Sequence, residues 1–420
     1  MSCVGEYFAK YRGAGAAGTP IPAWSHTAWS FIGSFIGIAV IGLLQTYFFG
    51  PPMGQTYYFG PHHFHLMVPA YGAMATLLFS AIKAPVSQPY NTIVGNTLGG
   101  IVTVCVTLVL QFFSMDDWVW LGGALSVSLT IVCQELMNAV HPPGAATALI
   151  FSIKVPWHKS HVLLAMFPLV PALLGACVLV ITALLVNNLA ASRNYPLWWS
   201  PIKMARTDEK KLLPVDETTG NEEGTSSSEE PSCAQAYLHK LSGTDTEPSP
   251  RPPLSDTPFS WLGAFTCMAL IGLLDTYVMG PDAHMKLLIP AFGAMSVIVF
   301  SNCKAPLAQP INVVLGNTIG GIVGVLVMEL LKYFGLAHMM WLCAALCVSL
   351  TIAVQERTNT VHPPGGATAL LYALVPDGGL KFIISPALLG AVIFVIVGVI
   401  MNNLSPARRY PQRWFFDDAP

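Results

Sequence analysis

What most limits how this chain can fold is a set of long runs almost free of charge, at residues 31–49, 91–113, 163–186 and 388–401. An α-helix rises about 1.5 Å per residue, so hydrocarbon about 30 Å thick needs roughly 20 such residues. Hydrophobic residues make up 53% of the chain, charged residues 10%, and mean hydropathy is +0.57. A soluble protein could not cover its surface with that balance. The 36 glycines and 33 prolines suit closely packed, interrupted membrane helices. The expected class is an all-α, multi-pass membrane protein, in the plasma membrane or an organelle membrane. The first 25 residues lack the marks of a cleaved leader, so the first apolar segment is expected to act as its own signal.

Duplication is the second constraint. IGLLQTYFFG at 41–50 recurs as IGLLDTYVMG at 271–280, and KAPVSQPYNTIVGNTLGGIV at 83–102 as KAPLAQPINVVLGNTIGGIV at 304–323. VSLTIVCQELMNAVHPPGAATAL at 127–149 recurs as VSLTIAVQERTNTVHPPGGATAL at 348–370, and PALLGA and NNL at 171 and 187 return at 386 and 402. These matches predict two homologous helical bundles at 27–192 and 259–407, a cytoplasmic segment at 1–26 and a tail at 408–420. The stretch 193–258, rich in charge, Ser, Thr and Pro, is expected to be a disordered tether. Ser226, Ser227 and Ser228 beside acidic residues make it a candidate phosphorylated segment that binds regulatory proteins.

Each unit offers four long apolar segments and two short ones, in the first copy at 66–82 and 143–155. If both short segments cross, or neither does, the units are parallel; if one crosses, they are inverted. Basic residues before the first unit (Lys10, Arg12), after it (Arg193, Lys203, Arg206) and after the second (Arg408, Arg409, Arg413) favour three cytoplasmic ends and parallel repeats.

The His-Pro-Pro-Gly element sits where an apolar helix stops. Pro142 pushes His141 out of helical conformation, and Pro142 and Pro143 are placed to start a new, short helix. Its first free amides would be those of Gly144 and Ala145, a ready anion site in low dielectric. His362, Pro363, Pro364, Gly365 and Gly366 repeat the pattern. Gln134, Asn138 and His141 share a helical face with Glu135 at its edge, as do Gln355, Asn359, His362 and Glu356, and such polar stripes within a membrane mark a pathway or a buried brace. Lys83 and Lys304 either snorkel to the interface or supply cationic charge to an anion path. Glu135 and Glu356 could pair with a lysine or exchange protons with the adjacent histidine. Gly95, Gly99 and Gly100 read as helix-packing contacts. Gln45 becomes Asp275 and Leu136 becomes Arg357, so the copies differ chemically. His62, His63 and His65 suggest a metal cluster, but only His63 recurs, as His284, and no metal or other cofactor is expected.

VHPPGAATAL and VHPPGGATAL, with APVSQPYN and APLAQPIN upstream, resemble the HPP family of integral membrane proteins, here as two fused units. The resemblance covers both units but not 193–258. It implies four transmembrane helices per unit and transport, with nitrite transport in plastids associated with plant members, and carries over His141, Pro142, Pro143, His362, Pro363 and Pro364 as the signature. Asn138 and Asn359 stand where bacterial relatives often have Arg. The expected function is a transporter of a small inorganic anion, nitrite or nitrate first, with its site at the two HPP helix starts. A channel for water or a small neutral solute and a non-transporting scaffold or sensor are the alternatives. The expected partners are the lipid bilayer, the anion and a second copy of the chain; a net charge of -2 offers nothing to nucleic acid. No nucleophile, base and orienter recur together, so an enzyme is not expected.

Overall fold

The computed structural model describes residues 7–16, 18–49, 65–115, 117–153, 161–201, 233–244, 246–280 and 286–415. His62, His63, His284 and the Ser226, Ser227, Ser228 cluster lie outside them. The described residues are helical, without strands, and each half forms four long apolar helices and two short ones. The first half comprises α1 (Trp24–Phe49), short α2 (Ala70–Ser80), α3 (Pro89–Phe112), α4 (Val119–Leu136), short α5 (Pro142–Ser152) and α6 (Leu164–Asn187). After α7 (Cys233–Leu241), the second half repeats them as α8 (Thr257–Met279), short α9 (Ala291–Ser301), α10 (Asn312–Tyr333), α11 (Met340–Arg357), short α12 (Pro363–Leu374) and α13 (Leu380–Asn402).

Helices α2 and α9 are short because non-helical backbone leads into them. Such backbone has no water to bond with inside a bilayer, so its amides need protein acceptors. Gln45 Oε1 accepts from the amides of Leu66 (2.6 Å) and Met67 (3.0 Å); Asp275 Oδ1 accepts from those of Leu287 (2.5 Å) and Leu288 (2.9 Å). The Gln45/Asp275 difference, read from sequence as a chemical inequivalence, is thus two solutions to one bonding problem.

The start of α1, the end of α2, the start of α3, the ends of α4 and α6 and the start of α5 gather at one end of the first half. There Asn187 Nδ2 donates to Leu78 O (2.9 Å), Tyr90 Oη to Met137 O (3.1 Å) and Asn91 Nδ2 to Val140 O (3.0 Å). Three elements leave this end and three return. Equivalent turns of both halves, Pro85 with Pro306 and Val86 with Leu307, line a single cavity there. Equivalent ends therefore meet, and the repeats are parallel about a pseudo-two-fold axis along the membrane normal.

The halves interlock reciprocally through glycines. A Cβ on Gly42 would stand 2.7 Å from the Trp341 backbone, and one on Gly272 would stand 2.9 Å from that of Trp120, so α1 lies on α11 and α8 on α4. At the centre, Gly72 of α2 meets Gly366 O of α12 and Gly293 of α9 meets Ala145 O of α5, where a Cβ would come within 2.1 and 2.3 Å. Only glycine permits backbones this close.

The repeat also extends into segments read as tail and tether. Tyr7 Oη donates to Ile400 O (3.1 Å) and Lys10 Nζ to Ser405 O (2.7 Å); Tyr237 Oη donates to Leu185 O (3.1 Å) and Lys240 Nζ to Ala190 O (2.8 Å). Trp414 Nε1 donates to Tyr11 O (2.7 Å) and Trp199 Nε1 to Leu241 O (3.0 Å). Each unit's leader thus docks on the exit of the other. A disordered 193–258 is corrected accordingly for part of its length: residues 233–241 form a helix that a Tyr, a Lys and a Trp fasten to the exit of the first half, which includes 193–199.

Two outcomes follow. Cysteines substituted for Ser242 and Gln412 should react with a membrane-impermeant maleimide from one side of sealed vesicles, and cysteines at Ser114 and His338 from the other. Gly72→Val should cost about 3 kcal/mol or more through overpacking against backbone, read as a lowered thermal midpoint and loss of the monodisperse peak, whereas Gly122→Ala, with its nearest neighbour at 3.4 Å, should change neither.

Candidate functional site

In the first half α4 stops at Leu136, and Asn138 takes φ of 51°; Asn359 takes 56° in the second. Asparagine is among the few side chains that tolerate this left-handed turn. The turn lets Ala139 N bond back to Gln134 O (2.8 Å), so Asn138 ends the helix and does not continue a polar stripe. His141 then lies extended (φ -147°, ψ 104°), as a residue before proline must, and Pro142 and Pro143 occupy the first turn of α5.

Of the two amides expected to be free in each half, the first is bonded within the turn. Gly144 N donates to His141 O (3.0 Å), and Gly365 N to His362 O (2.9 Å). Nor is there room for a ligand: a Cβ on Gly99 would lie 1.9 Å from Gly144 O, and one on Gly320 would lie 2.0 Å from Gly365 O. Behind, α9 and α2 of the opposite half cover Ala145 and Gly366. Gln134 closes the arrangement, donating from Nε2 to Gly95 O (2.9 Å) and His141 O (2.9 Å) and accepting from His141 N (3.2 Å); Gln355 repeats this with Gly316 and His362. Gly144, Ala145, Gly365, Gly366, Gln134 and Gln355, with Pro143 and Pro364, therefore form packed architecture and not an anion cradle. The amides of Gly144 and Gly365 are consumed by a tight turn, and the surface is covered by glycine-mediated contacts.

The signature histidines are fully buried. His141 Nδ1 is 2.8 Å from Val86 O and His362 Nδ1 is 2.9 Å from Leu307 O. A carbonyl can only accept, so Nδ1 carries the hydrogen, and in a neutral ring Nε2 is left as the acceptor. Both Nε2 atoms are buried without a hydrogen-bond partner. Each ring thereby fixes the Ala-Pro turn of its own half. Gln88 braces the same turn through Ile82 O (3.0 Å), Ala84 O (3.1 Å) and Leu197 N (2.8 Å).

These turns wall a cavity of about 540 Å³ on the pseudo-two-fold axis. Its polar lining comes from Thr19, His26, Ser80, Lys83, Asn302, Asn312, Glu356 and Asn359. Of the residues singled out in the sequence, Lys83, Pro142, Glu356 and Asn359 reach it; Lys304, Glu135, Asn138 and Pro363 do not line it. The segment before α1 straps its mouth: Asn359 Nδ2 donates to Thr19 O (2.8 Å), Arg357 Nη2 to Pro22 O (2.6 Å), and the Arg357 guanidinium lies 4.4 Å from the centre of the Trp24 ring. Arg357 has a counterpart of another kind, since Arg251 Nε, on the leader of the second half, donates to Glu135 O (3.2 Å).

The glutamates engage the opposite half rather than the histidine next to them in sequence, because a helix end separates each pair and each imidazole turns to its own Ala-Pro turn. Glu356 Oε1 is 3.5 Å from His26 Nε2, and Ser301 Oγ donates to Glu135 Oε1 (2.6 Å).

Three arginines counted in the sequence only as topology markers, Arg193, Arg408 and Arg413, prove to be buried. Arg193 Nη2 donates to Ser30 Oγ (2.7 Å) and Phe79 O (2.7 Å), and Nη1 to Asn187 Oδ1 (2.9 Å); Arg408 makes the same set with Ser260, Phe300 and Asn402. Burial pushes the Arg193 guanidinium down to about 10, with Glu356 acting the other way, so it stays a cation at neutral pH. The signal was in the sequence as R-x-Y-P at 193–196 and 408–411, six residues beyond each NNL start.

The family described as HPP, transmembrane region, matches residues 19–196 and 249–411. Two curated proteins of Dictyostelium discoideum, each described as a transmembrane protein, are similar: one is 38% identical over 43% of this chain and 63% of its own length, the other 32% identical over 46% and 57%. The chain thus spans about three fifths of the length of these relatives. No solved structure matches.

Replacing Gln134 by Leu removes one amide that serves three buried backbone groups. The expected loss is about 2–4 kcal/mol, since each buried backbone group left unpaired costs about 1–3 kcal/mol. It should appear as a lower thermal midpoint, with Gln355→Leu giving a similar drop.

Proposed function

Since the chain belongs to the HPP, transmembrane region, family of membrane proteins, we propose that it is a transporter of a small inorganic anion, nitrite or nitrate first, and that the axial cavity holds the anion. The observation that carries this reading is the cavity itself, set between parallel repeats and walled by matching turns of both, with Lys83 as its fixed cation. Transporters built from repeats place substrate at the interface between them. Lys83 is exposed at the mouth side of largely apolar walls, where a lone cation draws anions toward the cavity. Asn312 and Asn359 add amide donors, which a small oxyanion can use.

His26 and Glu356 supply the means of coupling. At 3.5 Å they form a pair that can hold a proton at the cavity wall. Taking up a proton on either group makes the lining more positive and favours anion entry. The sign follows: uptake rises as pH falls on the cavity side. The signature histidines act as positioning residues, through the Val86 and Leu307 turns, and not as ligands.

Purified protein in liposomes should take up nitrite or nitrate saturably, and accumulate it when the cavity side is acidified. Lys83→Gln should cut the rate about tenfold or more, by loss of a charge-assisted contact. Lys332→Gln, on an exposed pair with Glu329, should leave it unchanged. Flux that neither saturates nor accumulates would instead favour the channel reading, and no anion flux above Lys83→Gln liposomes would end the proposal.

A further inference from the structure

Beside the axial cavity, sharing the wall formed by His26, Ser80 and Lys83, lies a second cavity of about 280 Å³. It is lined further by Ser192 and by Arg193. Two fixed cations and an imidazole therefore face one small space. The acid in their neighbourhood is Glu356, 3.5 Å from His26 Nε2, which lines the axial cavity and not this one. The balance at the second cavity is positive. Arg193 is 2% exposed, its Nη atoms are committed to Ser30, Phe79, Asn187 and His26, whose Nε2 and O each lie 3.3 Å from Nη2, and its Nε is buried with no hydrogen-bond partner. A guanidinium N–H without an acceptor, inside a basic cleft, calls for an oxygen.

The duplicated half shows what such an oxygen looks like. At the position of His26 the second half has Asp256, and at that of Ser192 it has Ala407. Asp256 Oδ2 lies 3.5 Å from Arg408 Nε, forming an ion pair with the equivalent arginine. One half therefore brings its own carboxylate into ion-pair range of this arginine edge, although Arg408 Nε makes no hydrogen bond to it. The other has a basic residue and a cavity there, and its nearest carboxylate, Glu356, comes from the opposite half.

We propose that the cavity bounded by His26, Lys83, Ser192 and Arg193 is an anion-binding site distinct from the axial one, taking a phosphate-type oxyanion, either free or as a lipid headgroup. The three basic side chains and the hydroxyl of Ser192 match the several acceptor oxygens of such a group, and bidentate or edge-on contact from an arginine suits it geometrically. The site is absent from the second half, so one is expected per chain. It does not depend on transport. A chain that binds phosphate but moves no nitrite keeps this site and loses the transport reading.

The test uses the full chain in detergent, titrated with inorganic phosphate by calorimetry, and the same protein in phosphatidylcholine vesicles with and without phosphatidic acid. Saturable binding of one phosphate per chain, or selective enrichment of phosphatidic acid around the protein, is the expected result. The first outcome identifies a free anion and the second a headgroup. Ser192→Asp, on an exposed residue that lines only this cavity, should weaken binding about tenfold or more by supplying a competing carboxylate, and His26→Asp should do the same by copying the second half. The proposal is overturned if neither probe binds the wild-type protein, or if Ser192→Asp, with an unchanged thermal midpoint, binds as tightly as wild type.

Discussion

The rest of the structure depends on how closely two helix starts can approach their neighbours. The first turns of α5 and α12 press against α3 and α10 of their own halves, and against α9 and α2 of the opposite ones, at distances that exclude any Cβ at Gly99, Gly320, Gly293 or Gly72. In hydrocarbon no water exclusion drives helices together, so close backbone contact and hydrogen bonding must supply the cohesion. The two prolines remove amides that this crowded place could not satisfy, the glycine after them spends its amide on the turn, and the glutamine upstream binds the backbone of the histidine and of the helix alongside. The His-Pro-Pro-Gly element is thus a joint.

That explains what could and could not be read from the residues. Apolar length gave the helices, and the duplication gave the two halves, because both are properties of one chain segment at a time. The break at His141 was readable too, since the rules for proline are local. What the break is for was not, because the residues that cover its surface, Gly99 and Gly293, are distant in sequence. The same limit hid the docked leaders. Tyr7 and Lys10 against Tyr237 and Lys240 are a sparse match, easily lost in segments whose composition resembles a tether, and their partners are the exits of the opposite half. Arg193 looked like a marker of membrane side because a buried arginine is indistinguishable from an exposed one until Ser30, Phe79 and Asn187 are brought around it.

Duplication freed the two copies to diverge, and apart from Ala145 and Gly366 the exchanges with a chemical consequence lie outside the joint. Gln45 and Asp275 hold the same pair of amides, so that exchange is neutral in architecture. Leu136 and Arg357 differ, yet each mouth has an arginine on a strap contact, from the helix in one half and from the leader in the other. The exchange of His26 for Asp256 is met only from across the molecule, by Glu356 of the other half, 3.5 Å from His26. It replaces an ion pair within one half by a basic cleft beside the axial cavity, and leaves two faces of a nearly symmetrical molecule with different local charge.

The crossed leaders bear on how the two halves stay together. Each unit begins on the surface of the other, its first long helix lies along the other's fourth, and its shortest helix packs against the other's joint. Every one of these contacts is made by folded segments on either side of residues 202–232. Cohesion between the halves is therefore supplied by these folded segments, and covalent union adds a tie of stoichiometry: one first half for each second half, and so the pairing of unlike halves that two free copies of either half would lose.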